Sequence, residues 1–89
     1  MNIIIIDHAR ERMQERGAKE EEVMRTLVRG KKLRAAGGRK AKEMVFPFDA
    51  LWQGKFYHQK KLRVIYIEKD DDLAVITVYT YFGRWEEGK

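Results

Sequence analysis

Asn2 is followed by an unbroken isoleucine run, Ile3–Ile6, that stops at Asp7. A β-branched run ending at a polar residue predicts a buried strand over Asn2–Ile6. Asp7 then offers a carboxylate to cap a helix over His8–Arg16, whose narrow apolar stripe is Ala9 and Met13. Gly17 suits a left-handed terminator. A second helix is predicted from Glu20, because Glu20, Glu21 and Glu22 place negative charge where a helix start favours it. Val23, Met24, Leu27 and Val28 give it a wider apolar face at three-and-four spacing, and Gly30 ends it.

Beyond a turn over Ala35–Gly38 the pattern changes from helical to strand-like. Glu43–Phe48 reads as a strand in which Pro47, lacking a donor, marks an edge or a bulge. Leu51–Gln59 reads as a second strand, interrupted at Gly54. Leu62–Glu68 is the clearest strand, and Asp70–Asp72 turns the chain into a last one over Leu73–Phe82. Strict alternation there puts Leu73, Val75, Thr77, Tyr79 and Tyr81 on one face, and Ala74, Ile76, Val78, Thr80 and Phe82 on the other. Both faces are apolar, which predicts a central strand covered by helices on one side. The whole is expected to be a single α+β domain over residues 1–89. Its two N-terminal helices pack on a mainly antiparallel sheet of about four or five strands.

A chain of 89 residues has room for one core only, and a second copy or a bound partner would add to its modest stability. Cysteine is absent, which excludes disulfides, thiolate catalysis and thiolate metal sites and fits a cytoplasmic address. The early isoleucine run is too short to span a bilayer and lacks the flanks of a signal peptide, so no membrane role is expected.

Charge adds a further clue. Arg29 to Lys42 holds seven basic residues and no acidic one, while the other 75 residues hold 12 basic and 14 acidic groups. The excess behind the net charge of +5 therefore sits in one connection, which would attract polyanions through Coulomb steering and counterion release. Lys32, Arg34, Arg39, Lys40 and Lys42 are its candidate nucleic-acid contacts, together with Arg16 and Arg84. A solvated loop is the plainer reading of the same letters.

His8, Arg12 and Arg16 recur every fourth residue, drifting only about 40° per step around the first helix. Three such groups on one side form a ladder for phosphate, with His8 available for proton transfer. The plainer alternative is a wet helix whose arginine stems cover the sheet. Arg63 faces away from Leu62, Val64 and Tyr66, and needs an anion-binding hollow or a partner such as Glu43 or Glu68. Tyr79, Tyr81, Arg84 and Trp85 combine aromatic faces with cations, as base stacking requires, although tyrosines at a wet sheet edge look the same. His58, Lys60 and Lys61 form another basic cluster, read equally well as a plain turn. His8 and His58 do not make a zinc pattern, Asp70–Asp72 lack calcium-loop spacing and no glycine-rich nucleotide loop stands in the chain, so no metal or cofactor is expected; the absence of serine excludes a serine nucleophile.

The segment His8-Ala9-Arg10-Glu11-Arg12-Met13-Gln14-Glu15-Arg16-Gly17, followed by Glu20-Glu21-Glu22-Val23, resembles a widespread family of small uncharacterised bacterial and archaeal domains. That family shows a histidine, a basic residue four further on, a methionine, then an Arg-Gly pair before its second helix. Leu62–Tyr66 and Val75–Tyr79 also match its look, so the resemblance spans most of Asn2–Tyr79. It implies distant kinship with the RelE/ParE-like toxin fold, whose members include metal-free ribonucleases and gyrase inhibitors. The ribonucleases use basic and histidine or tyrosine side chains to make RNA attack itself through its 2′-hydroxyl. His8, Arg12 and Arg16 match the family motif, and Arg63 and Tyr79 occupy sheet positions from which toxin sites draw residues. The resemblance thus implies His8, Arg12, Arg63 and Tyr79 as catalytic candidates, with RNA and an antitoxin-like protein as partners. Phe48–Lys61 and the tail Phe82–Lys89 are departures that would reshape a cleft. A non-catalytic module binding nucleic acid or protein is the alternative function.

Overall fold

The computed structural model describes residues 1–85. Its elements are β1 (Asn2–Ile5), α1 (Asp7–Arg16), α2 (Glu20–Arg29), β2 (Lys31–Arg34), β3 (Lys40–Trp52), β4 (Lys55–Lys69) and β5 (Asp72–Gly83). They form an α+β fold with one mixed five-stranded sheet in the order β1-β5-β4-β3-β2. β1 runs parallel to β5, and the other three pairings are antiparallel. Among the described residues no helix is long and apolar enough to cross a membrane.

Several expectations need correction. Asp7 is the first residue of α1 rather than its cap; Ile6 holds the cap position and makes no side-chain cap bond. β1 is a half-exposed edge strand, not a buried one. Only one of its faces is covered, which leaves Ile4 48% exposed. Lys31–Arg34, inside the basic connection, is the edge strand β2. The segment Leu51–Gln59 is not one interrupted strand but the tip of a hairpin. Gln53 and Gly54 both have positive φ (50° and 82°), the signature of a I′ turn, whose twist matches that of the flanking strands. β3 and β4 consequently reach 13 and 15 residues.

Two register breaks shape this sheet. In β3, Phe48 and Asp49 stand opposite the single residue His58, so the strand bulges just after Pro47. In β5, Ile76 is the extra residue, since Ile65 pairs with Thr77 and Tyr66 with Val75. The simple alternation expected along β5 therefore fails at Ile76. Leu73, Val75 and Val78 are all buried on the helix-covered face, while Tyr79 and Tyr81 stay on the other.

Ala9 and Met13 of α1 and Val23 and Leu27 of α2 meet Phe46, Leu62, Val64, Tyr66, Val75 and Val78 in one core. At the corner between the helices, Gly17 takes the left-handed conformation (φ 71°). Lys60 reaches this corner from β4, almost wholly buried, and donates to the Gly17 carbonyl at 2.9 Å. The same ammonium lies 2.8 Å from Glu22, whose carboxylate also accepts the Lys19 backbone N–H.

At the far end of the sheet, burial pushes the Tyr66 hydroxyl up from its ordinary value, with Glu68 adding to the effect. A hydrogen bond to Glu68 pushes Lys40 up as well. Both groups hold their protons more tightly folded than unfolded. Their stabilisation is complete below the unfolded values, ~10 to ~10.4, and is lost as pH rises through the higher folded ones. The melting temperature is expected to fall above about pH 10, and Tyr66→Phe should flatten that fall in a thermal melt series.

Candidate nucleic-acid interface

The helices cover one face of the sheet and leave the other open. β3, β4 and β5 alternate, so Lys60, Leu62, Val64 and Tyr66 go under the helices, while Lys61 and Arg63 project from the opposite face. Register places Arg63 beside Tyr79 and Glu43, and Lys61 beside Tyr81 and Val45. The open face thus carries an aromatic row from β5 and its extension against a cationic row from β4.

The rows interlock. The Arg63 guanidinium lies 5.4 Å from the Tyr81 ring centre, and the Lys61 ammonium 4.5 Å from that of Trp85. Arg16 comes from α1 at the sheet margin, 4.9 Å from the Tyr79 ring centre, and donates to the Val78 carbonyl at 2.8 Å. β1 pairs only with residues 72–75 of β5, so Arg16 satisfies an acceptor on the edge that β1 leaves uncovered. Tyr79 and Tyr81 are each 41% exposed, so their ring faces remain accessible beside the cations.

Arg63 donates through Nε and Nη2 to Glu43 at 3.0 and 2.8 Å. That bond is the chief reason its pKa lies above the ordinary guanidinium value. Glu43 also lies 3.8 Å from Lys61, so one carboxylate orients both cations. Beside them a hollow of about 380 Å³ is lined by Arg29, Lys31, Glu43 and Lys61. A second hollow, of about 330 Å³, lies toward the β3–β4 hairpin and is lined by Pro47, Asp49, His58, Gln59 and Arg84. The Gln59 side-chain oxygen accepts the Trp85 backbone N–H, tying this hollow to the aromatic row.

The residues singled out from the sequence divide between these surroundings. Tyr79, Arg63, Arg16 and Arg84 lie on or beside the open face. His8 is exposed on α1, and Arg12 is paired with Glu15 at 2.7 Å, so both ride on the helix of the covered face. Lys42 donates to the Leu27 carbonyl at the end of α2, and Lys40 pairs with Glu68. Lys32 and Arg34 are exposed on edge strand β2, and Arg39 is exposed in the turn before β3. The basic stretch therefore does not act as one patch, because strand alternation sends Lys31 to one face and Lys32 and Lys42 to the other.

A family model described as a domain of unknown function, DUF4258, matches residues 5–80. The chain belongs to the DUF4258 family. Neither a curated protein nor a solved structure matches it. The DUF4258 match takes in His8, Arg12, Arg16, Asp49, His58, Arg63 and Tyr79 but stops before Tyr81, Arg84 and Trp85. The outer part of the aromatic row thus belongs to the expected departure Phe82–Lys89 and the residue before it. Within that departure, residues 86–89 lie outside the described residues.

Sequence reasoning missed the pairing of Asp49 with His58, whose Nδ1 and Oδ1 atoms are 3.0 Å apart. The signal was present. Each residue lies four positions from the two-residue turn Gln53–Gly54, so a hairpin closed there brings them opposite one another.

Proposed function

We propose that this DUF4258 protein binds single-stranded RNA across the open face of its sheet. The observation that carries the reading is the triple pairing of Tyr79 with Arg16, Tyr81 with Arg63, and Trp85 with Lys61. Aromatic faces accept unpaired bases of any sequence, and cations between them meet the phosphates joining those bases. Arg29 and Lys31, around the hollow beside Lys61, extend the cationic track. A duplex hides its base faces, so a strand with free bases suits this surface better. The distant RelE/ParE-like kinship that the sequence resemblance implies would make RNA the target and add an antitoxin-like protein as a partner covering the same face. Cleavage through His8, Arg12, Arg63 and Tyr79 has less support, because the first two ride on the covered face and the last two lie on the open one.

Fluorescence titration of a labelled oligouridine tests the reading. Binding should weaken with salt along a log–log slope of about −3, as roughly four phosphate contacts on a single strand give. Tyr81→Ala should cost about 1–3 kcal/mol of affinity, and Tyr81→Phe much less, since stacking survives. Absence of binding at low salt, with the protein folded, would sink the proposal and leave the face to a protein partner.

A further inference from the structure

The cations around the hollow beside Lys61 outnumber the carboxylates that could answer them. Arg29, Lys31 and Lys61 line it together with one acid, Glu43. Glu43 is already engaged, since Arg63 donates to its Oε1 through both Nε and Nη2. Lys61 stands 3.8 Å from the same carboxylate, beyond hydrogen-bond length, so its protons stay available. Arg29 and Lys31 are exposed, and among the described residues neither is paired with a carboxylate.

The corner that presents these two residues is fixed. Gly30, between them, donates to the Thr26 carbonyl at 2.7 Å. A Cβ at Gly30 would stand only 3.0 Å from the Glu43 carbonyl, so the turn from α2 into β2 lies tight on β3. Lys31 pairs with Glu43 across the two strands and keeps to the open face. Register then puts the aromatic row of β5 on one side of Lys61 and Arg63, and Lys31 on the other. Met44 and Val45 complete the wall of the hollow, and among the described residues no aromatic side chain lines it. A base would find no ring there to stack on, whereas a phosphate would meet three cationic donors. A phosphate inside a strand carries one negative charge, and a terminal monoester carries about 1.5 to 2 at pH 7. The excess of cations suits the terminal group.

We infer that this hollow binds a terminal phosphate of the RNA strand held on the open face, as a monoester dianion. The inference rests on the RNA reading above and adds an anchor for one end of the strand. Lys61 joins the two parts, because its ammonium also lies 4.5 Å from the Trp85 ring centre. Bases stack along the aromatic row, and the strand ends across β4 in the hollow. There Arg29 and Lys31 meet the phosphate oxygens with charge-assisted hydrogen bonds. Glu43 is the one opposing charge, and its bonds from Arg63 offset it. A 5′-phosphate and a 3′-phosphate share this chemistry, so the test carries both.

Calorimetric titration of the full chain uses three unlabelled oligouridines of one length, with a 5′-phosphate, a 3′-phosphate or neither. One phosphorylated form should bind about tenfold more tightly than the unphosphorylated one at neutral pH. That ratio should shrink as the pH falls below about 6, where the monoester becomes a monoanion. Lys31→Ala and Arg29→Ala should each lower the ratio several-fold. Lys32→Ala removes the same charge from the other face and should leave the ratio as it is. Equal affinity for all three oligomers would overturn the inference and leave the binding surface standing. A ratio that survives the loss of both Lys31 and Arg29 would do the same. Failure of every oligouridine to bind would overturn both.

Discussion

Lys60→Met is expected to destabilise the protein by about 3 kcal/mol, the lower end of what breaking a buried ion pair costs. The Lys60 side chain is 3% exposed and that of Glu22 is 14% exposed, so water cannot readily replace either partner. Methionine keeps the length and apolar body of the stem but removes the ammonium. Glu22 then loses its cation, and the Gly17 carbonyl loses the donor that satisfies it at 2.9 Å. In a domain of this size the change corresponds to a fall of about 15 °C in melting temperature. Urea unfolding measures it directly. Combining Lys60→Met with Glu22→Gln should recover part of the loss, since glutamine still accepts the Lys19 N–H without leaving a buried charge alone. A double variant no more stable than the single one would show that the ion pair is not the source.

The second large effect is expected at the same corner. Gly17→Ala should cost about 3 kcal/mol, from two independent causes. The left-handed conformation (φ 71°, ψ 34°) costs an L-residue about 1–2 kcal/mol. The added Cβ would also meet the Trp52 ring, with Cζ3 at 2.8 Å and Cη2 at 2.9 Å. Trp52 cannot easily yield, because it stacks on Phe82 with centres 5.0 Å apart and planes at 13°. Overpacking of this kind adds about 1–3 kcal/mol. Shrinking the ring in the background of Gly17→Ala, with Trp52→Leu, separates the causes. If unfolding of that pair, compared with Trp52→Leu alone, still shows the alanine costing its full amount, the steric part of the argument fails.

These two sites explain how the helical layer is joined to the long hairpin. Lys60 and Trp52 come from the two strands of that hairpin, and both touch the turn between α1 and α2. By sequence Lys60 groups with His58 and Lys61 as a basic cluster, yet its neighbours in space differ completely. His58 faces a hollow, Lys60 is buried, and Lys61 lies on the open face. Three basic residues within four positions thus play separate parts, because strand alternation and the bulge at Asp49 aim them differently. The same argument separates Arg63 from His8. Their letters suggest a shared cationic site, but the sheet stands between the helix that carries one and the face that carries the other.

From the chain alone one can read the two helices, the strand-rich second half, the glycine that ends the first helix and a turn at Asp70–Asp71, with Asp72, expected in that turn, opening β5 instead. Each depends on residues close in sequence, through periodicity, turn chemistry or helix-end charge. Tertiary structure alone decided that β1 runs parallel to β5, that β2 closes the far edge, and that Ile76 shifts the alternation along β5. It also decided which cations meet Tyr79, Tyr81 and Trp85. Such features depend on register between distant strands, where one added residue turns every later side chain to the other face. Local pattern carries no term for that choice; packing of the whole sheet against its helices makes it.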